Sequence, residues 1–250
     1  IADLASGYLT NPVRVEVSQP GKVADKVSHA VHFVSKDDKK DLLISLLKKN
    51  KTGRSLVFAR TKHGAERLMK HLEQTGFKVA SIHGNKSQGQ RDRAIANFRD
   101  GAIEILVATD VAARGIDIPD IEQVYNYDLP NVPENYVHRI GRTARAGRKG
   151  NAIAFCSAEE MSEFKAIEKV LAIGIEVVGG KPWSDETAKR AKSAAKEATK
   201  SAAAARTEPR RKKPRQTTKP AASKPGASKP SSNHRPPGGK RKRGPKRKAA

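Results

Sequence analysis

The stretch RSLVFARTKHGAERLMKHLEQTGFKVASIH, residues 54–83, contains a pattern that indicates the class of fold. Its two end segments, 54–59 and 78–83, are short and largely apolar, and they predict strands. The segment between them, 61–76, has apolar residues at helical spacing and ends at Gly76, which favours a helix. A strand, a helix and a second strand in succession are typical of two parallel strands joined by a crossover helix.

The same alternation continues through the first 180 residues. It predicts further strands over 29–34, 103–109, 121–128, 151–156 and 175–178, and helices over 36–49, 87–101, part of 132–141, and 159–172. The strands are near-continuous runs of Val, Ile and Leu, which favours an α/β fold whose mostly parallel sheet is covered on both faces. Because ligands of such folds gather at the carboxyl ends of the strands, we expect function in the segments that follow them. These segments are 60–63, 83–91, 109–117 and 128–147.

The charge of the chain is concentrated at its C-terminal end. The 250 residues carry a net charge of +24, and 23 of the 50 basic residues but 4 of the 26 acidic ones lie from Lys181 onward. After Trp183 the sequence has no Val, Ile, Leu, Met, Phe, Tyr, Trp or Cys. Such a segment cannot bury enough apolar surface to offset its ordering entropy. We therefore predict a disordered basic tail over 181–250, in which the Ala-rich part, 185–206, can form a transient helix.

Other features of the sequence narrow the class of protein. The single cysteine, Cys156, excludes an intramolecular disulfide and lies in an apolar run, which favours a buried structural thiol over a nucleophile. No apolar run approaches the roughly 20 residues of a membrane span, and no signal peptide is present. We expect a cytoplasmic location, no membrane contact and no metal ligands. The chain begins at Ile1 without Met, and we interpret it as a piece of a longer protein.

The segment ATDVAARGIDIPD, residues 108–120, holds polar residues at the end of a predicted strand. A carboxylate there can accept hydrogen bonds from a ribose diol, and Thr or Arg can contact phosphates. The candidate residues are Thr109, Arg114, Gly115 and Asp117. The alternative is a helix cap at Thr109 or Asp110 together with a surface ion pair.

The segment YVHRIGRTARAG, residues 136–147, places His138, Arg139, Arg142 and Arg145 close together. Arg142 and Arg145 are three residues apart and can face the same way. Two guanidinium groups that converge on one point are useful where a phosphoryl group is transferred, because its transition state is anionic. The alternative is a solvated basic turn.

The segment IHGNKSQGQRDRAIANF, residues 82–98, places Gln88 and Arg91 on the first turn of a predicted helix. The free backbone N–H groups of such a turn favour an anion. A polar N-terminal turn without a ligand is equally compatible with this segment.

Taken together, these segments resemble the C-terminal RecA-like lobe of DEAD-box ATP-dependent RNA helicases. LVFART matches motif IV of that family, HGNKSQGQR its Gln-x-x-Arg element, ATDVAARGID motif V and YVHRIGRTARAG motif VI. The resemblance covers roughly residues 1–180 and implies a three-layer α/β/α lobe. The linker and the basic tail are most similar to the bacterial RhlE-like group.

The resemblance implies a role for each matching residue. Arg142 and Arg145 would be arginine fingers on the γ-phosphate of ATP, His138 would join the network around the phosphates, and Asp117, beside Gly115, would hold the ribose. The residues that would grip the RNA sugar-phosphate backbone are Gly84, Gln88, Arg91, Thr109 and Arg114. Contacts to the backbone imply binding without sequence preference.

One position departs from the family pattern. Ala144 stands where the family usually has Gly. A positive φ at this position would strain an alanine, whereas a helical conformation would make it harmless. We expect the helical conformation.

Two motifs of a complete helicase are missing from the sequence. It contains no G-x-x-x-x-G-K-[ST] phosphate loop and no Asp-Glu-Ala-Asp. The resemblance implies that both belong to an N-terminal lobe, which would hold most of the ATP and its Mg²⁺. We therefore expect residues 1–25 to be the end of that lobe and the interlobe linker, 26–180 the C-terminal lobe, and 181–250 the tail. We expect this chain alone to lack ATP turnover.

The partners implied are RNA, the N-terminal lobe and, more loosely, ribosomal or RNA-degradation components. The basic runs of the tail lack aromatic residues, so the RNA binding expected of them is electrostatic and salt-sensitive; a tail that is only solubilising is the alternative for this segment. A protein of another class, a non-enzymatic RNA-binding or annealing module, is the alternative. Aligned arginine fingers distinguish the two, because a module that only binds RNA has no use for them.

Overall fold

A computed structural model of the chain describes residues 27–50, 53–114, 118, 121–144 and 149–207. The predicted linker over 1–25, the tail from 208 onward, and three predicted site residues, Gly115, Asp117 and Arg145, lie outside the described residues.

The described residues form strands and helices in alternation. The strands are β1 (Val27–Phe33), β2 (Arg54–Phe58), β3 (Val79–Ile82), β4 (Ile105–Ala108), β5 (Ile121–Asn126), β6 (Gly150–Cys156) and β7 (Glu176–Gly179). The helices are α1 (Lys39–Lys49), α2 (Lys62–Gln74), α3 (Gln88–Arg99), α4 (Asp110–Ala113), α5 (Glu134–Ile140), α6 (Met161–Leu171) and α7 (Asp185–Thr207), with a 3₁₀ turn at Ala158–Glu160 before α6. Each predicted strand and helix of the first 180 residues is present, and the predicted α/β class is confirmed. The four residues of α4 are too few to show a helical period, and α4 was not predicted.

Local contacts stabilise the βαβ unit of residues 54–83. The Thr61 hydroxyl accepts a hydrogen bond from the Gly64 backbone N–H (3.0 Å), which caps the start of α2. Leu68 and Leu72 lie on its buried face, and Gly76 follows the helix with a φ of +89°, a conformation that suits glycine.

The seven strands form one sheet in the order β3-β4-β2-β5-β6-β1-β7, and every neighbouring pair is parallel. Two hydrophobic clusters cover its two faces. The cluster on one face includes residues of α1 and α2, and the cluster on the other includes residues of α3, α4, α5 and α6. The layers are therefore helix, sheet and helix, as the resemblance implied.

The register of the sheet aligns the carboxyl ends of its central strands. Phe58 pairs with both Ala108 and Asn126, and Ala108 also pairs with Ile82. The residues that follow β2, β3, β4 and β5 are therefore brought to one edge. That edge contains most of the positions for which the sequence predicted function.

The described chain is folded beyond residue 181, where the sequence predicted the disordered tail to begin. Residues 185–207 form α7, and the sequence predicted a transient helix over 185–206. Trp183 packs against the core, and its indole N–H donates to the carbonyl of Cys156 (3.1 Å). Lys165 pairs with Asp185 at 2.6 Å. These contacts fix the segment to α6 and β6, and they explain why a segment with so few apolar residues is ordered here.

Candidate functional site

Arg139 is the buried centre of the basic segment 136–147. Its side chain is 2% exposed and forms two hydrogen bonds with the Asp110 carboxylate, from Nε to Oδ1 at 2.6 Å and from the second terminal nitrogen to Oδ2 at 2.8 Å. Its remaining terminal nitrogen donates to the Asn126 amide oxygen (3.1 Å) and to the Asp128 carbonyl (2.6 Å). The guanidinium carbon also lies 4.9 Å from the centre of the Phe58 ring. For this arginine, the anion that the basic cluster requires is a carboxylate of the same chain.

The Asp110–Arg139 pair joins two segments that the sequence treated separately. Asp110 begins α4, directly after β4, and Arg139 lies near the end of α5. A two-pronged contact between an arginine and a carboxylate fixes orientation as well as distance. The pair therefore sets the position of α5 relative to the end of β4. Sequence reasoning considered Asp110 only as a cap or a surface ion pair, and it assigned Arg139 no partner.

A cleft of about 180 Å³ opens beside this pair. It is lined by Phe58, Asp110, Ala113, Arg114, Asn135, His138, Arg139 and Arg142. The structure thus brings together three predicted site residues from two motifs: Arg114 at the end of α4, His138 on α5, and Arg142 just after α5. Arg114 and His138 are exposed and Arg142 is half-buried. Three basic side chains around one cleft make it suited to an external anion.

Ala144 corrects one prediction. Its φ is +57°, in the left-handed region, and not helical as expected. Its neighbour Thr143 is buried and donates its hydroxyl proton to the carbonyl of Ile121. Gly150 lies so close that an added Cβ would be 2.5 Å from the Ala144 backbone nitrogen. The turn is held by these contacts, and it imposes the strained conformation on an alanine.

The predicted RNA-contacting residues lie around the start of α3. Ser87 and Gln90 form a reciprocal capping box at its N-terminus. The Gln88 side chain donates to Asp92 (2.7 Å) and accepts from Arg91 (3.2 Å). Arg91 also donates to the carbonyl of Ala112 (3.3 Å). Arg91 therefore links α3 to α4, so that its role is at least partly to fix the two helices together.

Two further predicted residues lie at the same edge. Thr109 is 9% exposed at the end of β4, and its backbone N–H donates to the Ile82 carbonyl (3.3 Å). Gly84 is exposed in the loop between β3 and α3, and an added Cβ would have no atom within 4 Å. This open surface allows a nucleic-acid backbone to approach the main chain at Gly84.

A buried histidine holds the loop that contains Gly84. The Asn85 backbone N–H donates to His83 Nδ1 (3.3 Å), so the ring proton is on Nε2, which donates to Glu66 (3.0 Å). Ser81 and Lys86 also contact the Glu66 carboxylate, at 2.7 and 2.9 Å. The hydrogen bond from His83 is the main cause that lowers the pKa of Glu66 to about 2. Sequence reasoning did not select His83 or Glu66, because nothing local pairs residues 17 positions apart.

Cys156 lies in the core, as predicted. Burial is the main cause that raises the pKa of its thiol to about 12. A thiol with this pKa is protonated at neutral pH and is a poor nucleophile.

Within the described ranges, no group of three or more His, Cys, Asp or Glu side chains is arranged to hold a metal ion. The helices in the described part of the chain include none that is long and apolar enough to cross a membrane.

The sequence and the fold of this chain are similar to those of known proteins. Residues 38–147 match the family model described as the helicase conserved C-terminal domain. The curated ATP-dependent RNA helicase RhlB of Shewanella sp. (strain W3-18-1) is 41% identical over 177 residues, which is 71% of this chain and 40% of the relative. The chain thus spans less than half the length of this relative.

Solved structures give the same result. The Escherichia coli DEAD-box protein SrmB, bound to regulator of ribonuclease activity A, is 36% identical with a TM-score of 0.58; the match covers 66% of this chain and 94% of that one. Saccharomyces cerevisiae Dbp5, bound to RNA and ADP BeF3, is 35% identical with a TM-score of 0.64; the match covers 77% and 51%.

The fold and the site therefore define a helicase C-terminal domain. Within that class, the chain belongs to the DEAD-box RNA helicases, as their C-terminal RecA-like lobe. The relative named above is an RhlB protein, and the expected likeness to the RhlE-like group remains a prediction.

Proposed function

We propose that this chain is the C-terminal half of an enzyme that couples ATP binding and hydrolysis to the separation of RNA strands. The observation that supports this most is the arrangement of basic side chains around the 180 Å³ cleft. Arg139 is paired with Asp110, while Arg114, His138 and Arg142 line the opening. A rigid inner arginine with further basic side chains around it suits stabilisation of a phosphoryl group during transfer.

In this proposal Arg142, together with Arg145, contacts the γ-phosphate of ATP. His138 joins the phosphate network, and Asp117 with Gly115 holds the ribose. The cleft fits a phosphate group but is smaller than the roughly 300–1,000 Å³ typical of a pocket for a whole ligand. This size agrees with a lobe that supplies part of the site, while an N-terminal lobe supplies the phosphate loop and the ligands of Mg²⁺.

The RNA half of the proposal concerns the edge around α3. Gly84, Gln88, Arg91, Thr109 and Arg114 would contact the sugar-phosphate backbone without sequence preference. Gly84 and Gln88 are exposed and Thr109 is nearly buried, so the backbone of Thr109 and its hydroxyl are at most narrowly accessible. The basic tail would add salt-sensitive affinity for the same RNA. We propose a cytoplasmic location and contact with other RNA-processing proteins, in line with the SrmB complex named above.

The test compares the whole helicase, including its N-terminal lobe, with its Arg142→Ala variant. RNA-stimulated ATP hydrolysis should fall by about 10³-fold or more, and ATP-independent RNA binding should remain. Arg93→Ala is the matched control, because Arg93 is exposed on α3 and, among the described residues, hydrogen-bonds only to the carbonyl of Gly89. Retained hydrolysis with lost RNA binding would contradict the proposal and favour a non-enzymatic RNA-binding module.

The 250-residue chain gives a second test. It should show no RNA-stimulated ATP hydrolysis until the N-terminal lobe is added or fused to it. Turnover by the chain alone, at the rate of the complete helicase, would show that the division between the lobes is wrong.

A further inference from the structure

A second, larger cleft lies at the carboxyl edge of the sheet, between α1 and α2. Its volume is about 490 Å³. One wall includes Lys36, Lys39 and Lys40 at the start of α1, and the other includes Thr61, Gly64, Arg67, Leu68 and His71 of α2. The floor is formed by residues that follow β5 and β6, among them Tyr127 and Ser157. No role proposed above uses this cleft.

The carboxylates of the cleft are neutralised within the protein. Glu160 is 5% exposed at its side chain and pairs with buried Lys39 and with Arg60, the latter at 2.7 Å. It also accepts the backbone N–H groups of Leu129 and Ser157, both at 3.1 Å. Fully paired carboxylates do not repel an incoming anion as unpaired ones would.

The positive charge of the cleft exceeds its negative charge. Five Lys and Arg side chains line it, against three Asp and Glu side chains. Lys40 and Arg67 are exposed, and neither forms a hydrogen bond or an ion pair with any described residue. Glu159 is paired with Lys36 at 3.1 Å. The unbalanced charges therefore lie on opposite walls, one on α1 and one on α2.

Aromatic surface accompanies these cations. Tyr127 lies in the cleft, and His71 lies on its α2 wall. Burial, and then the nearby Asp128 and Glu160, raise the pKa of Tyr127 to about 12, so its phenol stays neutral at physiological pH. Cations combined with aromatic rings are typical of surfaces that bind single-stranded nucleic acid, whereas an acidic peptide needs only the cations.

The cleft is continuous with the surface proposed to bind RNA. Lys62, in the first turn of α2 between Thr61 and Gly64, donates to the Asn85 side chain (2.9 Å). Asn85 is the neighbour of Gly84. From Thr61 to His71, α2 extends about 15 Å at 1.5 Å per residue. We propose that further nucleotides of the single-stranded RNA pass over the start of α2 into this cleft, where Lys40 and Arg67 contact phosphates and Tyr127 contacts a sugar or a base.

This inference rests on the RNA-binding role proposed above, and the test separates the two. Binding of fluorescent oligouridine of about 6 and about 20 nucleotides is measured with the full 250-residue chain. The tail is present in every variant and contributes equally. For the Lys40→Ala/Arg67→Ala variant, affinity for the longer RNA should fall about tenfold, and that for the shorter RNA much less. The slope of log affinity against log salt should decrease by about 1.4, which is about 0.7 for each lost phosphate contact.

Lys48→Ala/Lys70→Ala is the matched control, because these exposed lysines lie on the same two helices outside the cleft. It should leave the affinity for the longer RNA within about twofold of wild type. Equal loss in the control and in the cleft variant would overturn the inference. Unchanged RNA binding together with lost binding of polyglutamate would also overturn it, in favour of an acidic peptide.

A Gln88→Ala/Arg114→Ala variant tests the proposed function itself. It should weaken binding of the shorter RNA. If it does so while the Lys40→Ala/Arg67→Ala variant binds both RNAs normally, only the inference fails. If Gln88→Ala/Arg114→Ala leaves the shorter RNA unaffected, the proposed RNA-binding role fails.

Discussion

Arg139 and Asp110 are 29 residues apart in sequence, yet they form a two-pronged ion pair with nitrogen–oxygen distances of 2.6 and 2.8 Å. Arg139 is buried, whereas the Asp110 side chain is 32% exposed. The pair connects the end of β4 to α5, and its two partners lie in the two motifs that line the smaller cleft. The charge cluster of 136–147 therefore contains an arginine, Arg139, whose partners lie within the fold.

The first prediction concerns this pair. Asp110→Asn leaves the buried guanidinium without its counterion, and breaking a buried pair costs about 3–5 kcal/mol. Because Asp110 is one third exposed, water compensates in part, and we expect about 2 kcal/mol of lost stability. Urea unfolding monitored by circular dichroism measures it.

Asp37→Asn, at an exposed turn residue, is the control and should change stability by less than about 0.5 kcal/mol. Arg139→Lys separates charge from geometry. Lysine keeps the charge but lacks the planar fork, so it should also destabilise the fold, by about 1–3 kcal/mol. An Arg139→Lys variant as stable as wild type would show that the fork is not needed.

The sequence predicted the strands and helices well, but it did not predict which side chains form ion pairs, and the reason is physical. Hydrophobic period and glycine positions are local properties, and they determine strands and helices such as β2 and α2. The alternation then places Asp110 and Arg139 at one edge of the sheet. It does not say which carboxylate faces which guanidinium, because the partner is chosen by tertiary packing.

The same limit explains one correction and one contact that the sequence did not predict. The φ of Ala144 is imposed by contacts of Thr143 and Gly150 across the turn, not by the preference of alanine. The segment beyond residue 181 is joined to the core by Trp183 and Ala188, and to α6 by the Lys165–Asp185 pair. The average composition of 70 residues does not reveal that one of them, Trp183, packs against the core.

The second prediction uses the left-handed alanine. A left-handed conformation costs an alanine about 1–2 kcal/mol, and glycine avoids this cost but loses about 0.5–1 kcal/mol in chain entropy. Ala144→Gly should therefore stabilise the chain by about 0.5–1 kcal/mol, measured as the free energy of unfolding in urea.

Glycine substitutions at two further alanines serve as comparisons for Ala144→Gly. Ala172 has a φ of +55° at the end of α6, and Ala172→Gly should act in the same direction. Ala96 is exposed within α3, and Ala96→Gly should destabilise by about 1 kcal/mol. If Ala144→Gly behaves like Ala96→Gly, the left-handed conformation at Ala144 is refuted.

The third prediction follows from the lowered pKa of Glu66. The folded value of about 2 lies below the ordinary value of 4.5. The ionised carboxylate therefore stabilises the fold fully above pH 4.5, and this contribution is lost as the pH falls toward 2. Because the Glu66 side chain is 30% exposed, we expect a contribution on the order of 1 kcal/mol.

In Glu66→Gln, the loss of stability between pH 5 and pH 3 should be smaller than in wild type, and stability at pH 7 should be lower. Denaturant unfolding at a series of pH values measures both. Glu73→Gln, at an exposed position of the same helix, should retain the wild-type profile. An unchanged profile in Glu66→Gln would show that the contact with His83 does not hold this loop.

The fourth prediction concerns the anchor of α7. Trp183 is half-buried against the core and donates to the Cys156 carbonyl at 3.1 Å. Trp183→Ala removes the apolar contact and the hydrogen bond, and should cost about 2 kcal/mol, below the 3–5 kcal/mol of a fully buried tryptophan. Trp183→Phe retains most of the contact and should cost about 1 kcal/mol, the value of one hydrogen bond.

Ile173→Ala, at a side chain that is 51% exposed, is the control and should cost less than about 0.5 kcal/mol. Hydrogen exchange of the amides in 185–195 provides an independent measurement, because they should exchange faster in Trp183→Ala. Equal stability and exchange in Trp183→Ala and wild type would mean that the first turns of α7 do not depend on this contact, and the ordered lobe would then end before residue 183, as its composition alone predicts.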